Sequence, residues 1–66
     1  MNIIVNGENK SFEDGATLLS IIEKLNIKDK VMAAAVNMDI VKKDDWDKFK
    51  PQDADKLELL QFVGGG

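Results

Sequence analysis

The segment KLELLQF, Lys56 to Phe62, decides how this chain folds. Read as an extended strand, it puts Leu57 and Leu59 on one side and Glu58, Leu60 and Phe62 on the other. If this last strand lies beside the first, the strands and the helix before it close into one sheet with a helix across it. Those earlier elements therefore have to be placed.

NIIVNGENKSF reads as a β-hairpin. Its strands, about Asn2–Asn6 and Asn9–Phe12, flank Asn6-Gly7, a pair suited to the positive φ angles of a tight hairpin turn. Ile3 and Val5 share one face, and Ile4 points to the other. In EDGATLLSIIEKLN, Thr17 fits an N-cap, and Leu18, Leu19, Ile21, Ile22 and Leu25 build one apolar helical stripe that stops at Asn26. VMAAAVN is rich in helix-favouring alanine, but it is short and runs into the turn-like NMD. It is expected to be a strand whose small side chains pass beneath the helix. Ile40–Val41 forms a short fourth strand. DDWDKFKPQDAD is a loop or short helical turn, in which Trp46 and Phe49 close one end of the core and Pro51, Asp53 and Asp55 mark a turn.

The order is β-β-α-β-β-β, an α+β plan. With the last strand beside the first, it becomes a β-grasp (ubiquitin-like) fold, a mixed sheet of about five strands packed on one main helix. Residues 1–66 make a single domain, with residues 63–66 a flexible glycine tail.

Composition narrows the function. A chain of 66 residues without Cys or His lacks the usual disulfide, zinc and haem ligands, so packing must hold it together. A net charge of −3 with both signs interspersed offers no basic stripe for nucleic acid. No charged and apolar leader opens the sequence, and its apolar runs are far shorter than a membrane span. The reading is a small cytoplasmic domain, a monomer when free, with no nucleic acid or membrane partner and no metal.

The commonest general base and the strongest nucleophile are both missing, and Ser11 and Ser20 have no evident base beside them. An enzyme is not expected. The acidic stretches lack the glycine and spacing of a calcium loop, so Asp53 and Asp55 read as turn formers. Lys42 and Lys43 read as a solubilising strand edge, or as a contact for an acidic partner.

Two features remain. Leu60 and Phe62 place large apolar groups on a face that should be polar, with Ile4 joining them from the neighbouring strand, which marks a docking patch. The chain then ends in VGGG. Three glycines bury nothing and expose only backbone and the Gly66 carboxylate. Lacking Cβ atoms, they can thread a narrow channel and present that carboxylate to a nucleotide.

With these stretches in hand, the chain resembles the ThiS family, the sulfur carriers of thiamine thiazole biosynthesis, over nearly its full length. AAAVNMDIVKKDDW matches a family stretch of the form A-V-N-x-x-I-V-P-[RK]-x-x-W, and DADKLELLQFVGGG matches an ending of the form D-G-D-x-[ILV]-E-[ILV]-…-V-G-G-G. Lys42 stands where the family commonly has Pro, and Ala54 where it commonly has Gly. The resemblance implies that a ThiF-type adenylyltransferase uses ATP and magnesium to adenylate the Gly66 carboxylate, with no cofactor bound by the carrier itself. A cysteine desulfurase or another donor then supplies sulfur, leaving a thiocarboxylate that the thiazole synthase ThiG consumes. Gly64 and Gly65 would form the tail, and Leu60, Phe62 and Ile4 the docking face.

Three alternatives stand beside this reading. The small subunit of molybdopterin synthase and the ubiquitin-related modifiers of tRNA thiolation share fold and tail. The former typically has prolines shortly before Gly-Gly, which QFVGGG lacks. An interaction domain without tail chemistry is the alternative of a different class. Trp46 is expected to be partly buried, with its indole N–H on a partner or water.

Overall fold

In the computed structural model, residues 1–25 and 30–61 are described. The elements are β1 (Asn2–Val5), β2 (Glu8–Ser11), α1 (Leu18–Lys24), β3 (Val31–Val36), β4 (Asp39–Val41) and β5 (Lys56–Gln61), with a short 3₁₀ turn at Lys43–Asp45 before β5. The stop expected at Asn26 and the tail at residues 63–66 lie outside the described residues.

The five strands form one mixed sheet in the order β2-β1-β5-β3-β4. β5 does lie beside β1, and this central pair is parallel, with Val5 opposite Leu57. The other pairs are antiparallel. The sheet with one main helix is the β-grasp arrangement, and among the described residues no helix is long and apolar enough to cross a membrane.

Strand alternation builds the core. Ile3 and Val5 of β1 and Leu57 and Leu59 of β5 are buried, and they meet Leu18, Ile21 and Ile22 of α1. Full burial of one such side chain contributes about 1.5–3 kcal/mol relative to leaving it exposed. The alanine run divides: Ala34 is buried with Val36, whereas Ala33 and Ala35 are half-buried on the sheet face away from the core. Only alternate alanines can pass beneath the helix, because successive side chains of a strand point oppositely.

The helix start is fixed twice. The Thr17 hydroxyl accepts from the Ser20 N–H at 3.1 Å, as the N-cap reading expects. The carbonyls of Phe49 and Trp46 then accept from the N–H groups of Leu18 and Leu19 at 2.7 and 2.9 Å, satisfying donors that a helix leaves open in its first turn. The β4–β5 connection is thereby docked on the helix. Trp46 anchors it and is fully buried rather than partly so, because its indole N–H donates to the Val41 carbonyl at 2.9 Å and leaves no polar edge needing solvent. Phe49 packs half-buried beside the same core.

Candidate functional site

β5 is the element that leads to the C-terminal glycines, so the site is built from what holds it. On one side β3 pairs with it along its whole length, from Val36 opposite Leu57 to Val31 opposite Gln61, with a register shift between Val31 and Ala33. On the other side β1 reaches no further than Val5, opposite Leu57. The chain turns away at Asn6 and Gly7, both at positive φ (49° and 86°).

Asn6 makes up for the early turn. Its N–H donates to the Leu57 carbonyl at 2.9 Å. Its side-chain oxygen accepts from the Leu59 N–H at 2.8 Å, and its side-chain nitrogen donates to the Leu59 carbonyl at 3.4 Å. A side-chain amide carries the same acceptor and donor as a peptide group, so Asn6 continues the β1 edge past the point where the backbone leaves.

A second asparagine holds the start of β5 from the opposite side. Asn37 N–H donates to the Lys56 carbonyl at 2.8 Å, and the Asn37 side-chain oxygen accepts from the Lys56 N–H at 3.0 Å. The Asn37 amide also donates to Asp55 Oδ1 at 2.9 Å, while Asp55 Oδ2 accepts from the Gln52 N–H at 2.7 Å. Asp53 Oδ1 accepts from the Asn2 N–H at 2.7 Å. Asp55 thus serves as a turn former as expected, whereas Asp53 does not: its carboxylate caps the start of β1 instead, because the turn lies against Asn2 in the fold. The turn has Ala54 at a φ of 71°.

The sheet face away from α1 carries the apolar patch. Leu60 is 61% exposed and Ile40 is 73% exposed. With Ala33, Ala35 and Glu58, they border a shallow groove on this face. Ile4 shares the face but is half-buried and pairs with Lys56. Leu60 is four positions further along β5, about 13 Å at the usual rise of a strand, with Glu58 between. The patch around Leu60 therefore extends across β3 to Ile40 on β4, and not to Ile4 on β1. Strand parity alone puts Ile4 and Leu60 on one face; the register that separates them is a tertiary fact. Ile40 could have been found from the same parity in β4 had its partner been known.

Phe62, Gly64, Gly65 and Gly66 lie outside the described residues. Lys42 and Lys43 are exposed but lie past the end of β4, Lys42 before and Lys43 at the start of the 3₁₀ turn, so they do not form the strand edge expected of them. The Lys43 ammonium sits 5.8 Å from the Trp46 ring centroid, within cation–π range. Among the described residues, no cluster of three acidic side chains is grouped as a metal site would require.

The sequence profile of the ThiS family matches residues 3–66, almost the whole chain. The chain belongs to the ThiS family. As a member it is a sulfur carrier of thiamine thiazole biosynthesis, and the family's members are carriers rather than catalysts. The sulfur carrier protein ThiS of Escherichia coli is 30% identical over 66 residues, all of both chains. A protein of Paramagnetospirillum magneticum named thiazole synthase is 32% identical over the same length, and the chain spans 20% of it. Among solved structures, the crystal structure of a thiamine biosynthesis protein (ThiS) from Geobacter metallireducens superposes over the full length of both chains, with a TM-score of 0.75 and 30% identity. A solution structure of a thiamine biosynthesis protein from the same organism shares the fold, with a TM-score of 0.77 over all of this chain and 88% of that one, at 23% identity.

Proposed function

We propose that Gly66 is the sulfur-bearing residue and that the groove beside Leu60 seats the enzyme that activates it. A carboxylate is inert to nucleophiles until it gains a leaving group. In this reading a ThiF-type adenylyltransferase, using ATP and magnesium, lets a Gly66 oxygen attack the α-phosphorus and expel pyrophosphate. The terminal sulfur of a protein persulfide then attacks the acyl carbon, and AMP departs. A further thiol cleaves the sulfur–sulfur bond, leaving the thiocarboxylate while the thiol pair is oxidised to a disulfide. The product suits a thiazole synthase of the ThiG type, because its sulfur is nucleophilic and the protein around it is recognisable. The chain acts as a cosubstrate in the cytoplasm, with no reaction of its own.

The observation that carries this reading is the family membership through residue 66 combined with the exposed patch on the strand that leads there. The thiazole synthase relative adds support, since a segment like this chain forms part of that single polypeptide. Leu60, Ile40, Ala33 and Ala35 form the docking face in this proposal, with Phe62 adjoining it in sequence and Ile4 at its margin.

The test is pyrophosphate release with purified adenylyltransferase, comparing the parent chain with a Gly66 deletion and with Leu60→Asp. The deletion moves the carboxylate by up to about 3.5 Å, the length of one extended residue, and should abolish activation at an unchanged melting temperature. Leu60→Asp should weaken association by about 2 kcal/mol, as for an interface anchor. A deletion variant activated as well as the parent would show that the terminal carboxylate is not the working group.

A further inference from the structure

We infer that Asn6 is a positioning residue for sulfur loading: its side chain fixes the point at which β5 ceases to be held from both sides, and so sets the direction in which β5 leads toward Gly66. This inference rests on the proposal that Gly66 is activated by a partner enzyme.

The geometry is specific to this residue. β3 holds β5 from one side as far as Gln61. On the other side the strand partner ends with Val5, and the hold is carried past Leu57 by Asn6, whose amide takes both backbone groups of Leu59. Without that amide, the two-sided hold ends at Leu57, two residues sooner. β3 alone then holds β5 from Glu58 to Gln61, so the end of the strand keeps its length but loses the second constraint on its direction. A carboxylate delivered into an enzyme channel is sensitive to such a change of direction, because misplacement by about 1 Å can cost a reaction on the order of a hundredfold.

Asn37 supplies the control, since it bonds β5 through Lys56, at the end remote from Gly66. Both asparagines sit at positive φ, 49° and 51°, so replacement by Gly removes either side chain while tolerating the turn. The experiment measures adenylation of the parent, Asn6→Gly and Asn37→Gly with purified adenylyltransferase. All three are assayed well below their melting temperatures, with amide exchange followed by NMR. Asn6→Gly should lower kcat/KM roughly tenfold or more, chiefly through kcat, and should speed exchange at the Leu59 amide. Asn37→Gly should lower the melting temperature comparably while being activated like the parent, with faster exchange at Lys56 instead. Equal activation of Asn6→Gly and parent, or equal loss in both variants, overturns the positioning role while leaving the carrier reading intact. A parent chain that is not activated at all overturns the reading on which the role of Asn6 rests, and that role with it.

Discussion

The turns at Asn6-Gly7 and Asn37-Met38 have the same backbone shape and different chemistry. Each is a two-residue hairpin loop with both residues at positive φ, 49° and 86° in the first, 51° and 74° in the second. Each begins with an asparagine whose side chain bonds β5. The first places glycine at its second position, where nothing stands within 4 Å of a would-be Cβ. The second places a methionine there, 87% exposed. An L side chain in the left-handed region costs roughly 1–2 kcal/mol, so the second turn holds its shape against its own preference. Its shape is imposed by the pairing of β3 with β4 and by the Asn37 bonds to Lys56. The shared asparagine marks what the fold needs from both turns, and the differing second residue marks where local preference has been overruled.

The largest expected effect comes from removing what the turns share. A chain carrying both Asn6→Gly and Asn37→Gly loses two side-chain holds on the central strand. Because the freed groups of Lys56 are exposed and those of Leu59 part-buried, each lost bond costs about 0.5–1.5 kcal/mol net. A domain of this size has about 3–5 kcal/mol in total, so the double variant should melt at least about 8 °C below the parent by circular dichroism. A cooperative melt near that of the parent would show that the asparagines are incidental to the sheet.

Transposing what differs should act in opposite directions. Gly7→Met should cost about 1–2 kcal/mol, and Met38→Gly should gain about 1 kcal/mol. At this chain length 1 kcal/mol shifts the melting temperature by roughly 4–8 °C. Two shifts of one sign would mean that side-chain contacts, and not backbone preference, distinguish the turns.

The smallest effects test whether the same logic extends to the two departures from the family pattern. Ala54 has a φ of 71°, the region glycine favours, so Ala54→Gly should raise stability by up to about 1 kcal/mol. Lys42 has a φ of −65°, the angle the proline ring imposes. Lys42→Pro should therefore be tolerated and gain about 0.4–1 kcal/mol, mainly by restricting the unfolded chain. Thermal melts of the two single variants check both. Destabilisation by Lys42→Pro would reveal an N–H at that position with a partner the fold requires.

Much of this architecture is legible in the sequence because it is encoded over a few residues. The Asn6-Gly7 turn, the Thr17 cap, the helical stripe from Leu18 to Leu25 and the burial of Leu57 and Leu59 each follow from local periodicity or turn chemistry. So does the need of the Trp46 indole for a partner, though the sequence could not name Val41. The candidate docking face was legible in its parity, which exposed Leu60.

What the sequence by itself determined, then, was the inventory: which residues form strands and helix, and which face each side chain takes. Tertiary structure decided which residues meet. Leu60 shares its groove with Ile40 and not with Ile4, and Asn6 bonds Leu59 from 53 positions away. Alternation has a period of two and carries no information about register between strands far apart in the chain. That register is set by the packing of the whole core, which a short stretch of sequence does not contain.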